Sequence, residues 1–558
     1  MPGANIFGVD VAGLDVPAFL RASRALYPVI ALGLLAVAWR RRSSGLLLLG
    51  VVLGNAWAWF VTNWPLRSLY GLLSSSDRLG NLGLVQVVAA GNSPIRTAQV
   101  GQLHHEPFWG VFLALVSGFE PERVLALYPY LPLAMAAGFA LSLYWALAGP
   151  EGSGLPAAER AVIAGFATLL SSAPLEFAGT YRTPWAMMFL LKPNHALALV
   201  LAPLVLRLVA EIRGWRDRIL AGALLHLLAW AFVLHMAFFS VGLVAFAAWS
   251  FLEGRKQARK DALDVCAVIG VNALIVSPYL AMLLLGYAFL QPSPNMTIAP
   301  HSAHLLEALV QHAPLTLLAL LGVATLARGS RLARLLAAQG VGAVVVWLGY
   351  FLLSFLHLAR ERDEAYYWLR VWLAACAAVG AVELLRRLAA AARLQWDETR
   401  RAAAVLALAL PWSVPYWWQP AVMDSYFAGS LQPLPDRMRL PTDFIRHETN
   451  RRAVFAGDQE YCRYVAALGA RRVLRTQALG QMRDHGRRLE IERALVAGQP
   501  SLDEVGDMGV SHLVVTRDYL EGWGVSLDRL RARSDLREVF HWSSPSDFVS
   551  VFELSDRS

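Results

Sequence analysis

The chain has 558 residues, 56% hydrophobic and only 16% charged, with a net charge of +9 and a mean hydropathy of +0.45. A soluble domain carries about 25% charged residues, so this composition excludes an ordinary water-soluble enzyme. It also excludes a nucleic-acid partner as the reason for the positive charge. The Lys and Arg residues sit in short clusters between apolar runs, such as Arg40-Arg41-Arg42 and Arg255-Lys256 with Arg259-Lys260, the pattern of loops beside anionic lipid.

A bilayer core about 30 Å thick needs roughly 20 apolar residues per helix. Residues 1–25 are mildly apolar and read as an N-terminal segment lying along the interface; no cleaved signal sequence is expected there. From 26 to 420 the hydropathy predicts a polytopic all-α membrane bundle of about 12 transmembrane helices. The spans are 26–40, 45–63, 123–148, 161–177, 194–212, 219–235, 237–252, 263–288, 311–327, 335–357, 369–387 and 402–418. Alternate loops differ sharply in charge. One set holds about 20 Lys and Arg, from Arg40 to Arg401, and the other about seven, including Arg67, Arg182, Lys192 and Arg360. The basic set is expected to face the cytoplasm. That predicts a multi-pass protein of the plasma (inner) membrane with its C-terminal domain extracytoplasmic.

The first outer loop, 64–122, contains two apolar stretches, Leu79 to Ala90 and Phe108 to Phe119. Both are too short to span and suit interfacial helices. After 420 the composition turns polar. Short β-type runs at Ala453 to Phe455, Arg472 to Leu474, His512 to Val515 and Phe548 to Phe552 alternate with helical patterns at Glu460 to Leu468 and Ser526 to Arg533. This predicts a small C-terminal α/β domain within 421–558. It has no glycine-rich nucleotide fingerprint. Cys266, Cys376 and Cys462 are too few and too scattered for a disulfide framework or a zinc site.

Candidate chemistry gathers in the outer loops. Asp77 precedes the first interfacial stretch and could serve as a general base or as a helix cap. His104, His105 and Glu106 could bind a divalent metal, shuttle protons or simply cap the second interfacial helix; no other cofactor is indicated. Arg182 and Lys192 could hold an anionic leaving group or snorkel to headgroups. His195 opens a span, and His235 lies in an apolar stretch at the outer end of another, where ionisable groups face a cavity or the bundle interior. Arg360 and Arg370 flank the last dense outer loop, and Arg370 could clamp a phosphate or belong to a solvated aromatic belt. All these residues map to one side of the bundle.

This layout resembles the GT-C superfamily of integral-membrane glycosyltransferases, which includes the protein O-mannosyltransferases and the lipid A aminoarabinose transferases. The residues that carry the resemblance are Asp77 after an early span, Gly91-Asn92-Ser93-Pro94, Glu106-Pro107-Phe108-Trp109 before the second interfacial helix, and Arg362 to Arg370 opening a late span. The resemblance implies a polyprenyl-phosphate-linked sugar as donor, with Asp77 as catalytic base and a lipid, glycan or protein as acceptor, in contact with membrane lipids. Family sites often pair two acids there; here Arg78 follows Asp77 and three serines precede it. A lipid-linked sugar flippase or other transporter is the alternative, and a non-catalytic membrane scaffold a third reading. The sequence shows none of the inverted symmetry common in transporters.

Overall fold

A computed structural model describes residues 5–6, 9–10, 16–63, 76–93, 100, 107–149, 154–169, 193–286, 302–355, 363–410, 435–476, 485–498, 505 and 507–555. A short antiparallel pair, β1 (Asn5–Ile6) and β2 (Val9–Asp10), comes first. The helices α1 (Val16–Arg41) and α2 (Ser44–Asn63) then pack together. Arg40 and Arg41 in the last turn of α1 suit the negative end of its dipole. Arg42, with φ of 51°, turns the chain.

Two short helices follow, α3 (Ser76–Ala89) and α4 (Pro107–Val116). Next come α5 (Pro121–Leu127), a 3-10 turn at Tyr128–Tyr130, and α6 (Leu131–Ala146). The sequence reads 123–148 as one span. Pro129 and Pro132 lack the N–H that a continuous helix would use, and the chain divides around them. The bundle continues through α7 (Ala157–Leu169), α8 (Pro193–Ala210), α9 (Trp215–Ala231), α10 (Val233–Glu253) and α11 (Lys256–Gly286). It ends with α12 (Ser302–Leu326), α13 (Arg331–Phe355), α14 (Asp363–Ala391) and α15 (Glu398–Ala409). The break between α9 and α10 is the single extended residue Phe232, at φ −163° and ψ 110°. It falls three residues before the predicted seam because no Gly or Pro marks it.

Each of the twelve predicted apolar runs overlaps a helix. Among the described residues α10, α11, α13 and α14 are long and apolar enough to cross a membrane by length and composition. α14 is the central one, buried on every side from Tyr367 to Gly380. It runs against α12 at backbone contact: a Cβ placed on Gly380 would lie 1.8 Å from the carbonyl oxygen of Leu318. Small residues permit such approach where lipid supplies no hydrophobic drive between helices.

The basic turns gather ion pairs at one end of the bundle. Arg42 meets Asp397, the N-cap of α15, at 3.1 Å, and Trp39 lies edge-on to Trp396. At the same end Arg218 of α9 binds the buried Asp264 of α11 at 2.6 Å. Arg334 of α13 reaches Glu253 at 2.8 Å and Asp261 at 3.2 Å.

The C-terminal elements are α16 (Asp436–Glu448), β3 (Val454–Gly457), α17 (Gln459–Ala467), β4 (Arg472–Val473) and α18 (His485–Ala497). They continue with β5 (His512–Thr516), α19 (Arg517–Trp523), α20 (Leu527–Arg531), β6 (Leu536–Ser543) and β7 (Phe548–Leu554). The sheet order is β4-β3-β5-β7-β6, with β3 parallel to both β4 and β5, and β7 antiparallel to β5 and β6. Side chains alternate across it. Phe455 and Val514 pack under α16 and α17, while Val454, Ala456, Leu513 and Val515 pack under α18 to α20. β6 escapes sequence reading because it is a half-exposed edge strand whose charges hide its period.

Candidate functional site

The chain reverses at each basic turn, so the opposite ends of the helices share one face of the bundle. That face receives α3 and α4, the start of α8, the α9–α10 break and the start of α14. Asp77 is the second residue of α3, in the first turn, where the helix dipole favours a carboxylate. α3 is held by burial. Leu82, Val85 and Val88 join the same core as Trp109 and Leu113 of α4, and Gln86 Nε2 donates to the Pro121 carbonyl at 2.9 Å.

The C-terminal domain rests on this helix. A Cβ built on Gly83 of α3 would lie 3.0 Å from the Cβ of Ala466 and 3.3 Å from the nitrogen of Ala467, both on α17. Glycine at 83 therefore sets how closely α17 crosses α3.

Two of the predicted site histidines meet. His195, in the first turn of α8 and 4% exposed, stacks on Phe232 with ring centroids 3.5 Å apart. His235, in the first turn of α10 and fully buried, lies edge-on to His195 at 5.4 Å and to Phe232 at 4.8 Å. Trp368 of α14 closes the group 4.9 Å from His235. Three helices and the α9–α10 break thus contribute rings to one cluster. Trp372, one turn beyond Trp368, extends it to Phe239 at 6.3 Å. Neither tryptophan was singled out by sequence, although a four-residue spacing puts both on one face of a helix.

Arg370 is buried, at 3% exposed. It stands two residues past Trp368, about 200° around the helix, so α14 presents it on a different face from the histidine cluster. His104, His105, Glu106, Arg182, Lys192 and Arg360 lie outside the described residues. Among the described residues no three His, Cys, Asp or Glu side chains gather as a metal would require.

The C-terminal sheet has its own crevice where strand order reverses, between the carboxyl ends of β3 and β5, the usual ligand position in open α/β sheets. Asp458 and Thr516 stand there. The Asp458 carboxylate accepts from the N–H groups of Glu460 at 2.9 Å and Tyr461 at 3.1 Å, and the Thr516 hydroxyl donates to it. The carboxylate is thus engaged in capping α17 and joining it to β5. Deeper in the domain, burial pushes the Glu492 carboxyl up to about 7 against the pull of the Arg475 guanidinium that donates to it. Burial also holds His512, stacked on Phe455, below the usual imidazole range.

No protein-family model matches the sequence, and no curated protein matches it. Solved structures do match. ArnT from Cupriavidus metallidurans in the apo state is similar at a TM-score of 0.50 and 12% identity, over 89% of this chain and 95% of that one. The same protein bound to undecaprenyl phosphate gives 0.49 and 12%, over 90% and 97%. The apo oligosaccharyltransferase of Archaeoglobus fulgidus gives 0.47 and 11%, over 92% and 75%. At such identities the likeness concerns the fold, and the first match carries it. The chain has the fold of apo ArnT.

Proposed function

We propose that this protein is a membrane glycosyltransferase that moves a sugar from a polyprenyl-phosphate donor to an acceptor on the extracytoplasmic side. The observation that carries this reading is the shared fold with apo ArnT over nearly the full length of both chains. The same ArnT has been solved with undecaprenyl phosphate bound. The place of Asp77 in the chain supports it further: it is the second residue of α3, in the segment between α2 and α4.

In this reading the donor's lipid tail stays in the bilayer and its sugar phosphate enters from the outer face. Arg182, Lys192, Arg360 and Arg370 supply the cations that hold the phosphate and stabilise its growing charge. His195 and His235, with Glu106, His104 and His105 from the loop, line the sugar and acceptor side. Asp77 takes the proton of the acceptor hydroxyl. The freed oxygen attacks the anomeric carbon, the bond from that carbon to the phosphate oxygen breaks, and polyprenyl phosphate departs with the electron pair. One displacement inverts the anomeric centre. The basic end, with its Arg–Asp pairs, faces the cytoplasm of the plasma (inner) membrane.

The test is sugar transfer by membranes carrying wild-type protein or Asp77→Asn, supplied with a polyprenyl-phosphate sugar pool and extracted acceptors. The expected result is transfer by the wild type and a fall of about 100-fold or more in the variant at equal expression, the scale of a lost general base. Undiminished transfer by Asp77→Asn would remove this residue from the chemistry.

A further inference from the structure

One residue of the first outer loop leaves the membrane portion and joins the C-terminal sheet. Val100 donates its N–H to the carbonyl of Val473 at 3.0 Å, alongside the edge strand β4. Its side chain is buried with Leu474, Ile491 and Leu495. Its carbonyl is held by Arg488 of α18, which lies 388 residues away in sequence and also binds the carbonyl of Leu474. Arg488 is only 1% exposed. A guanidinium so buried must keep its acceptors, because an uncompensated charge there is costly. The edge strand gains a cover by the same contact.

The loop is therefore gripped twice by the C-terminal domain, at Gly83 through α17 and at Val100 through Arg488. Asp77 lies six residues before the first grip. In the sequence, His104 and Glu106 lie four and six residues after the second.

We propose that the C-terminal domain positions the first outer loop for catalysis and that Arg488 is the positioning residue. This rests on the glycosyltransferase reading above. Arg488 touches neither donor nor acceptor; it holds Val100, downstream of the helix that Asp77 begins.

Two readouts on the full chain test this. The first is amide hydrogen exchange at Val100, which requires no substrate. Protection in the wild type that falls by about 100-fold in Arg488→Ala supports the grip; free exchange at Val100 in the wild type overturns it. The second is transfer kinetics. Arg488→Ala should lower kcat by about 10- to 100-fold, the scale of a misplaced catalytic group, leave the donor KM unchanged, and be partly rescued by Arg488→Lys. Should Arg488→Ala unfold the domain, Gly83→Val crowds Ala466 and Ala467 without altering Arg488 and should show the same kcat loss. A folded variant that frees Val100 yet keeps full kcat overturns the positioning role. Full transfer by Asp77→Asn, by contrast, would sink the catalytic reading and leave the grip, judged by exchange alone, intact.

Discussion

Gly380 is the point where one added methyl group tests the packing of the central helix. A Cβ there would meet the Leu318 oxygen at 1.8 Å, the Leu318 carbonyl carbon at 2.7 Å and the Gly322 nitrogen at 3.0 Å. All three are backbone atoms of α12, so no rotamer change relieves the clash. The two helices must part by about 1.5 Å to restore ordinary contact. Overpacking of this kind costs about 1–3 kcal/mol, and Gly380→Ala belongs at the upper end because backbone has to move. Gly322→Ala meets the Cys376 carbonyl oxygen at 1.9 Å from the other side. The same separation of helices accommodates both methyls, so the double variant should cost less than the sum of the singles. Gly270→Ala is the control: nothing lies within 4 Å of its Cβ, and alanine favours the helix by about 1 kcal/mol. The assay is the fraction of full-length protein that stays monodisperse in detergent after heating. Gly380→Ala should lose this fraction at a lower temperature than wild type and Gly270→Ala should not. Superimposable curves for Gly380→Ala and wild type would refute the claim that α12 and α14 meet at backbone distance.

Three further outcomes follow from the charges. Glu492 has a folded pKa of about 7 against an ordinary 4.5, so its contribution to stability is full below about pH 4.5 and is lost as pH rises through 7. Glu492→Gln should flatten the fall in C-terminal domain stability over that range, followed by near-ultraviolet circular dichroism on heating; an unchanged slope refutes it. His512 works in the opposite sense: its pKa is depressed from 6.5, so its contribution is present above that value and is lost as pH falls through the folded pKa. The orientation predicts that a cysteine at the exposed position 529 is labelled by a membrane-impermeant maleimide in intact cells. A cysteine at the exposed position 259 should be labelled only after permeabilisation. The reverse pattern would invert the protein.

Much of the helical architecture is legible in one dimension because lipid imposes a strong rule: a spanning segment must be apolar and must satisfy its own backbone. The runs at 45–63, 263–288 and 335–357 accordingly match α2, α11 and α13 closely. The C-terminal strands at Val454, His512 and Phe548 were visible through their β-branched and aromatic residues. The edge strand β6 was not, because its charges hide its period, and helices α16, α18 and α19 were missed as well. Within the site, the place of Asp77 at the start of a helix was legible, as was the start of a helix near His195.

The rest depended on residues remote in sequence. That His195, Phe232, His235 and Trp368 share one cluster follows from how α8, α10, α14 and the α9–α10 break pack, and no local pattern encodes a distance between helices. That Arg370 faces away from this cluster depends on the rotation of α14, which Trp368 and Trp372 fix by packing against α10. The grip of Arg488 on Val100 joins positions 388 residues apart. Hydropathy alone determined that this chain lives in a membrane and which of its ends is basic, because the cost of charge in lipid acts on each residue separately. Which side chains meet at the face opposite the basic turns was decided only by tertiary packing, because meeting is a property of pairs.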